Sequence, residues 1–226
     1  MASATIAYTD CRVRVSASEA ADLAWLLEFA GPDVNVLEDG PVDRELALEV
    51  DADRFAALQR LGPHPSGTSI ATFALDGEMV TLPRWSGTDA TTSVFDPAWN
   101  LLYERGPGTD SRIVAPPGHV QGRVALLRML REVVTAWSAA RGGLVLHGAS
   151  IAWKGRGYVL AGAKQAGKTT LLCHILRTTG AEYVANDRTL VWTGSPSLPI
   201  RGMPTIVSVR SSIRIDSGFS RVVVNT

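Results

Sequence analysis

Cysteine and lysine are scarce in this sequence of 226 residues, and the chain carries no net charge. Its two cysteines, Cys11 and Cys173, are too few and too far apart for a disulfide scaffold or a cysteine-based metal cluster. The 22 Lys and Arg residues balance the 22 Asp and Glu residues. We therefore expect no general binding to nucleic acid or to an anionic membrane, because such binding needs excess cations to neutralise phosphates.

Long apolar segments are also missing. The sequence contains no run of about eighteen apolar residues, so it predicts no membrane-spanning helix. The first residues lack the basic start and apolar centre of a secretory signal. With 46% hydrophobic and 19% charged residues, the composition is that of a folded soluble protein. We expect a cytoplasmic protein with reduced thiols.

The few lysines are clustered. Lys154, Lys164 and Lys168 lie within fifteen residues of one another, whereas the rest of the chain supplies its positive charge as 19 arginines. Lysine and arginine are not interchangeable where the geometry of a contact matters. Residues 154–168 are therefore the segment where we first expect a functional site.

Patterning divides the chain into two predicted domains. Residues 1–115 are rich in turn formers and predict a smaller, irregular, mixed α+β domain that recognises a substrate or partner. Its predicted helices span 21–30 and 53–61, its strands span 45–50, 92–95 and 101–104, and a hairpin spans 70–82 with Asp76-Gly77 in the turn.

Residues 116–226 predict an α/β domain. Apolar residues at helical spacing from Val120 to Trp137 indicate a long amphipathic helix closed by Gly142-Gly143. The following pattern predicts strands at 144–153 and 158–161, a glycine loop, a helix at 168–178 and strands at 182–185, 190–192 and 206–215. This order of elements places the glycine loop between a strand and a helix.

Residues 162–169, GAKQAGKT, match the phosphate-loop pattern G-x-x-x-x-G-K-[ST]. The composition gives roughly 0.004 accidental matches. Backbone N–H groups of such a loop bind polyphosphate, the lysine contacts the β- and γ-phosphates, and the hydroxyl ligates Mg²⁺. The predicted nucleotide-binding residues are Gly162, Ala163, Lys164, Gln165, Ala166, Gly167, Lys168, Thr169 and Thr170. Of these, Lys168 is also a candidate catalytic residue, and Thr169 a candidate metal ligand.

The residues after the loop narrow the class of protein. Neither N-K-x-D nor D-x-x-G follows Thr169, as a GTPase would need, and the L-S-G-G-Q signature of transporter ATPases is absent. Asp187 lies 19 positions after Lys168, at the end of a predicted strand that could neighbour the loop strand. Its carboxylate could hold Mg²⁺ or accept a proton from an attacking hydroxyl. The alternative is an ordinary Asx turn.

Together these residues resemble the C-terminal kinase domain of HPr kinase/phosphorylase. They are more similar still to the looser set of HPr kinase-like proteins, such as the kinases of lasso-peptide pathways. The resemblance covers about fifty residues, and the segments that carry it are Leu146-His147-Gly148-Ala149-Ser150, the turn at Gly155, the loop 162–169 and Ala185-Asn186-Asp187-Arg188. It implies that His147 lies near the transferred phosphate, that Lys168 and Thr169 bind nucleotide and Mg²⁺, and that Asp187 is one of two adjacent acidic residues.

The sequence departs from the family at two places. Asn186 occupies the position of the second acidic residue, and Asn cannot accept a proton. The acidic residue usual in the phosphate loop is also absent. Both differences argue against HPr itself as the substrate. The family domain continues past the matched region, so we expect either a truncated chain or a shortened domain.

The resemblance implies an ATP- and Mg²⁺-dependent kinase acting on a hydroxyl, with a serine or threonine of a peptide or protein as the expected acceptor. GTP in place of ATP, a small-molecule hydroxyl as acceptor, and a homo-oligomeric state stay open. The alternative function is a nucleotide-binding regulator or scaffold without phosphotransfer. The remaining histidines, His64, His119 and His174, are expected to be structural.

Overall fold

The computed structural model describes residues 1–31, 33–61, 68–73, 79–87, 89–108, 110–163, 165–194, 197–203, 207–210 and 222–225. The fold is mixed α/β, with four helices in this part of the chain. It divides into two compact units, Met1–Leu130 and Arg131–Thr226, and the division falls within the third helix. The sequence placed a boundary at residues 115/116.

One nine-stranded sheet organises the first unit, in the order β3-β1-β2-β4-β9-β8-β7-β6-β5. The β2–β4 and β4–β9 pairs are parallel, and the other pairs are antiparallel. The elements are β1 (Ala2–Tyr8), β2 (Cys11–Ala17), α1 (Ala20–Ala30), β3 (Asn35–Leu37), β4 (Arg44–Val50), α2 (Ala52–Leu61), β5 (Thr68–Phe73), β6 (Met79–Ser86), β7 (Thr92–Asp96), β8 (Leu101–Arg105) and β9 (Asp110–Ala115). The expectation of an irregular N-terminal region was therefore wrong.

Alternating burial explains why these short segments form a sheet. In β2, Cys11, Val13 and Val15 are fully buried, whereas Arg12 and Arg14 between them are partly exposed. This period of two matches the pleat of a strand with one face in the core. On the β8–β9 part of the sheet, Phe55 of α2 packs with Leu102 and Val114. The hairpin predicted at 70–82 is confirmed as β5 and β6, and its turn lies outside the described residues.

The second unit contains several smaller sheets. Its elements follow α3 (Gly122–Ala140) and are β10 (Gly143–His147), β11 (Ala149–Trp153), β12 (Arg156–Leu160), α4 (Lys168–Thr179), β13 (Glu182–Ala185), β14 (Arg188–Trp192), β15 (Ile200–Gly202), β16 (Val207–Arg210) and β17 (Val222–Asn225). Their sheets have the orders β10-β14-β15, β12-β11-β13 and β16-β17. None of the helices described has the length and apolar character to cross a membrane.

The single strand predicted at 144–153 is wrong, because Gly148 divides it into β10 and β11 of different sheets. The Gly148 N–H donates to the Asp187 carbonyl oxygen at 2.9 Å. A Cβ at this position would lie 2.8 Å from the carbonyl oxygen of Leu160. The chain can therefore change sheets here only because the residue has no side chain.

The helix after the glycine loop packs on the β12-β11-β13 sheet. Leu172 of α4 is buried with Ala149 and Ile151 of β11, and Ile175 and Leu176 pack against this cluster. Leu171 of the same helix is 48% exposed. The described helix matches the predicted one to within one residue at its end.

Candidate active site

The phosphate-loop sequence connects β12 to α4. Gly167 adopts the left-handed conformation, with φ of 82°, and precedes the first helical residue, Lys168. Its carbonyl oxygen accepts the first helical hydrogen bond, from the N–H of Leu171 at 2.8 Å. No side chain caps this end of α4, so the amides of its first turn face outward without a side-chain acceptor. A helix start of this kind favours an anion.

Lys168 folds back over its own loop. Its Nζ donates to the carbonyl oxygens of Gly162 at 2.9 Å and Ala163 at 3.0 Å. An ammonium group has three donors, so these two bonds leave one for a ligand. The left-handed Gln165, with φ of 69°, forms part of the same tight turn. Lys164, also predicted to bind nucleotide, lies outside the described residues.

Sheet register brings three segments to one edge. Both β12 and β13 pair antiparallel to β11, so they run parallel to each other, with Leu160 opposite Ala149 and Ala185 opposite Ser150. The glycine loop follows β12, Asp187 follows β13, and His147 precedes β11. All three segments therefore lie at the same end of this sheet. The loop strand and the Asp187 strand are separated by β11, which corrects the expectation that they could be neighbours.

His147 and Asp187 are in direct contact. The Nδ1 atom of His147 lies 3.0 Å from Oδ1 of Asp187, a distance that fits a hydrogen bond donated by the imidazole. The His147 side chain is 70% exposed and that of Asp187 is 32% exposed. Since Nδ1 is used by the carboxylate, the Nε2 edge of the ring is the one open to a ligand.

Arg131 and Glu132 of α3 complete a charged cluster with His147, Asp187 and Arg188, and neither was among the residues predicted for the site. Nη1 of Arg131 lies 3.5 Å from Oδ2 of Asp187. Nη1 of Arg188 lies 2.9 Å from Oε1 of Glu132. The helical pattern of α3 was interpreted only through its apolar face. One sequence signal could have identified them. Arg131-Glu132 in the helix and Asp187-Arg188 after β13 are adjacent charged residues whose signs are in reversed order, so each can pair with a residue of the other segment.

Buried polar contacts fix the backbone beneath the cluster. The Thr189 hydroxyl is 2.8 Å from the Ser150 hydroxyl, and both residues are fully buried. This bond joins β14 to β11, two strands that belong to different sheets. Asn186, which replaces the expected second acid, has a buried Oδ1 without a hydrogen-bond partner in the structure.

The oxygen atoms of Thr169 and Asp187 are suited to a Mg²⁺ ion that binds together with a nucleotide. Mg²⁺ is usually held by one or two carboxylates together with substrate phosphates and water. Thr169 and Asp187 supply oxygen atoms of the required kind. Among the described residues, no group of three or more His, Cys, Asp or Glu side chains could hold a metal by itself.

Two other histidines, His119 and His174, lie inside the described ranges. The Nδ1 atom of His119 accepts the N–H of Gly122 at 3.2 Å, at the start of α3. Its Nε2 lies 3.7 Å from Oδ2 of Asp22. This arrangement agrees with the structural role expected for His119. His174 lies on an exposed face of α4, and His64 is outside the described residues.

Comparison with protein-family models, curated proteins and solved structures finds no match to this chain.

Proposed function

We propose that the protein is a Mg²⁺- and ATP-dependent kinase that transfers the γ-phosphoryl group to a hydroxyl, with a serine or threonine of a peptide or protein as acceptor. The observation that carries the proposal is the common edge of the β12-β11-β13 sheet, where the glycine loop and the His147–Asp187 pair lie. Phosphoryl transfer asks a protein chiefly for positioning and charge stabilisation. A phosphate-binding loop and a proton-accepting pair at one edge of the sheet are suited to positioning the reactants and to stabilising the charge that develops.

The loop residues would hold the nucleotide. The backbone N–H groups at the start of α4 and the remaining donor of Lys168 would bind the phosphates. Thr169 and Asp187 would hold Mg²⁺, which, when bound, supplies charge neutralisation to the phosphates. ATP is the proposed nucleotide, and comparing the binding of MgATP with that of MgGTP distinguishes it from GTP.

The transfer step needs one proton acceptor. The acceptor hydroxyl oxygen forms a bond to the γ-phosphorus, the bond from that phosphorus to the bridging oxygen of ADP breaks, and the hydroxyl proton passes to the Asp187 carboxylate. His147 contacts one oxygen of that carboxylate, and its exposed Nε2 edge would lie beside the reacting phosphate. Asp187 bears this role alone, because Asn186 cannot accept a proton.

The finer proposal follows the resemblance of residues 146–188 to HPr kinase-like proteins. The second unit would be a P-loop kinase domain of that type, and the first unit would recognise the acceptor. On this account the chain acts in the cytoplasm on a peptide or protein, with no nucleic acid or membrane as partner. A small-molecule hydroxyl is the closest variant.

Asn186 favours a second candidate function, a nucleotide-binding regulator that catalyses no transfer. The turn after β13 has one carboxylate, Asp187, where HPr kinase-like proteins have an acidic pair. A regulator needs the phosphate loop but has no use for a proton acceptor. The two functions therefore differ in what Asp187 does.

The test replaces Asp187 by Ala and measures both nucleotide binding and turnover. Release of phosphate from MgATP, with water as acceptor, provides a readout that needs no identified substrate, and a serine- and threonine-containing peptide library provides the transfer readout. The matched control is Glu182→Ala, an exposed carboxylate at the opposite end of β13. A kinase loses turnover in Asp187→Ala only and still binds nucleotide. A wild-type protein that binds MgATP but shows neither activity supports the regulator instead.

A further inference from the structure

One turn of α3 contacts the two charged residues that follow β13. Arg131 meets Asp187 at 3.5 Å, and Glu132 meets Arg188 at 2.9 Å. Thr135, one turn further along the helix, has its hydroxyl 3.5 Å from Nη1 of Arg188. The helix thus places the positive Arg131 beside the negative Asp187, and the negative Glu132 beside the positive Arg188.

The two ion pairs differ in hydration. The Arg131 side chain is 15% exposed and that of Glu132 is 57% exposed. An ion pair in water is screened and contributes little, whereas a pair partly removed from solvent keeps more of its attraction. The Arg131–Asp187 contact is therefore the one that can fix a side chain in place.

Asp187 is held through both of its carboxylate oxygens. Oδ1 faces Nδ1 of His147 and Oδ2 faces Nη1 of Arg131. Two partners on two oxygens restrict rotation of the carboxylate about its last bond, which one partner alone would permit. The restriction matters more here because Asn186 leaves the turn with a single carboxylate.

We propose that Arg131 is a positioning residue for the phosphoryl transfer, which it serves by holding the Asp187 carboxylate against His147. This inference rests on the proposed function, and it names a residue outside the phosphate loop and outside the region of resemblance. Arg131 acts through Asp187 and needs no contact with nucleotide. A misplaced proton acceptor lowers the rate of the chemical step while nucleotide binding persists.

The kinetic test compares Arg131→Met and Arg131→Lys with wild type. We expect kcat to fall by roughly ten- to a hundredfold in Arg131→Met, with the KM for MgATP within about twofold of wild type. Arg131→Lys restores part of the loss, because it keeps the charge but not the planar fork. The matched control is Arg141→Met, an arginine just beyond α3 that lies over the Trp137 ring and should leave kcat unchanged.

A second readout does not depend on turnover. Nitrogen NMR of the His147 imidazole should show a hydrogen on Nδ1 in the wild-type protein, because Asp187 accepts it. In Arg131→Met we expect a mixture of the two tautomers, and in Arg141→Met the wild-type spectrum. A purely structural role for Arg131 would lower the thermal unfolding temperature without changing the tautomer.

These measurements distinguish failure of the proposed function from failure of the positioning role of Arg131. If wild type shows no phosphotransfer but the His147 tautomer depends on Arg131, the proposed function fails and the positioning contact stands. If wild type is active and Arg131→Met changes neither kcat nor the His147 spectrum, the positioning role is overturned. Should Arg131→Met fail to fold, Arg131→Gln takes its place as the neutral variant, and a wild-type kcat and an unchanged His147 spectrum in that variant overturn the role equally.

Discussion

His147 ends β10 and Asp187 precedes β14, yet Nδ1 of the histidine lies 3.0 Å from Oδ1 of the aspartate. The backbone enforces this meeting. His147 is opposite Arg188 in the β10–β14 register, and the N–H of Gly148 donates to the Asp187 carbonyl oxygen. The side-chain pair is thus a consequence of strand pairing, and changes in the backbone nearby should disturb it.

Replacing Gly148 by Ala should destabilise the protein by about 1–3 kcal/mol, because the new Cβ would lie 2.8 Å from the Leu160 carbonyl oxygen. Urea unfolding followed by tryptophan fluorescence measures the change. The matched control is Gly194→Ala, where nothing lies within 4 Å of the added Cβ, and we expect an effect within about 0.5 kcal/mol. Equal effects of the two substitutions would argue against the close approach at Gly148.

Replacing Thr189 by Val should cost about 1–3 kcal/mol, because it leaves the buried Ser150 hydroxyl without its partner at 2.8 Å. Adding Ser150→Ala to this variant removes the unsatisfied group and should recover much of the loss. A double-mutant cycle from urea unfolding gives the coupling free energy. Strictly additive effects would mean that the two hydroxyls do not interact.

Cys173 should be a slow nucleophile. Partial burial on α4 is the largest influence on the thiol of Cys173 and raises its pKa. A hydrogen bond with its own backbone and the charge of Arg177 act in the opposite direction, and the net effect is a raised pKa. The folded protein therefore has less thiolate than the unfolded chain at a given pH, and its rate of alkylation should rise at higher pH. Mass spectrometry of iodoacetamide labelling between pH 7 and about 10, with and without urea, measures this.

The Cys173→Ala variant is the control for the labelling experiment. Cys11 is fully buried, so this variant should remain unlabelled while folded. A pH profile of the folded wild type that coincides with that of the unfolded chain, or lies at lower pH, would contradict the effect of burial.

Local patterns were sufficient to predict the helices. Predicted bounds for α1, α2 and α4 agree with the structure to within about one residue, because an apolar face and glycine endings are properties of adjacent residues. For α3 the helix begins at Gly122, and Val120, expected on its apolar face, is 80% exposed. The phosphate-loop motif was likewise visible because its residues are consecutive.

Long-range pairing was harder to predict. The alternation in β2 was present in the sequence, but the place of β2 beside β4 depends on parallel pairing with a segment about thirty residues away. Contacts between residues that are distant in the sequence were equally hard to predict at the candidate active site. Arg131 and Asp187 are 56 residues apart, and no local pattern indicates that a helix side chain reaches that turn. The break at Gly148 also required knowledge of the Leu160 carbonyl oxygen.

The most direct test of the nucleotide site is calorimetry of MgATP, MgADP and MgGTP binding to wild type, Lys168→Ala and Lys154→Ala. Lys154 is the matched control, since it lies in the β11–β12 turn beside the Trp153 ring, at the far end of β12 from the loop. We expect wild type and Lys154→Ala to bind MgATP alike. Lys168→Ala should bind at least roughly tenfold more weakly, because it loses a hydrogen bond to charged phosphate. Absence of MgATP binding by wild type, or equal affinity in Lys168→Ala, would contradict the account.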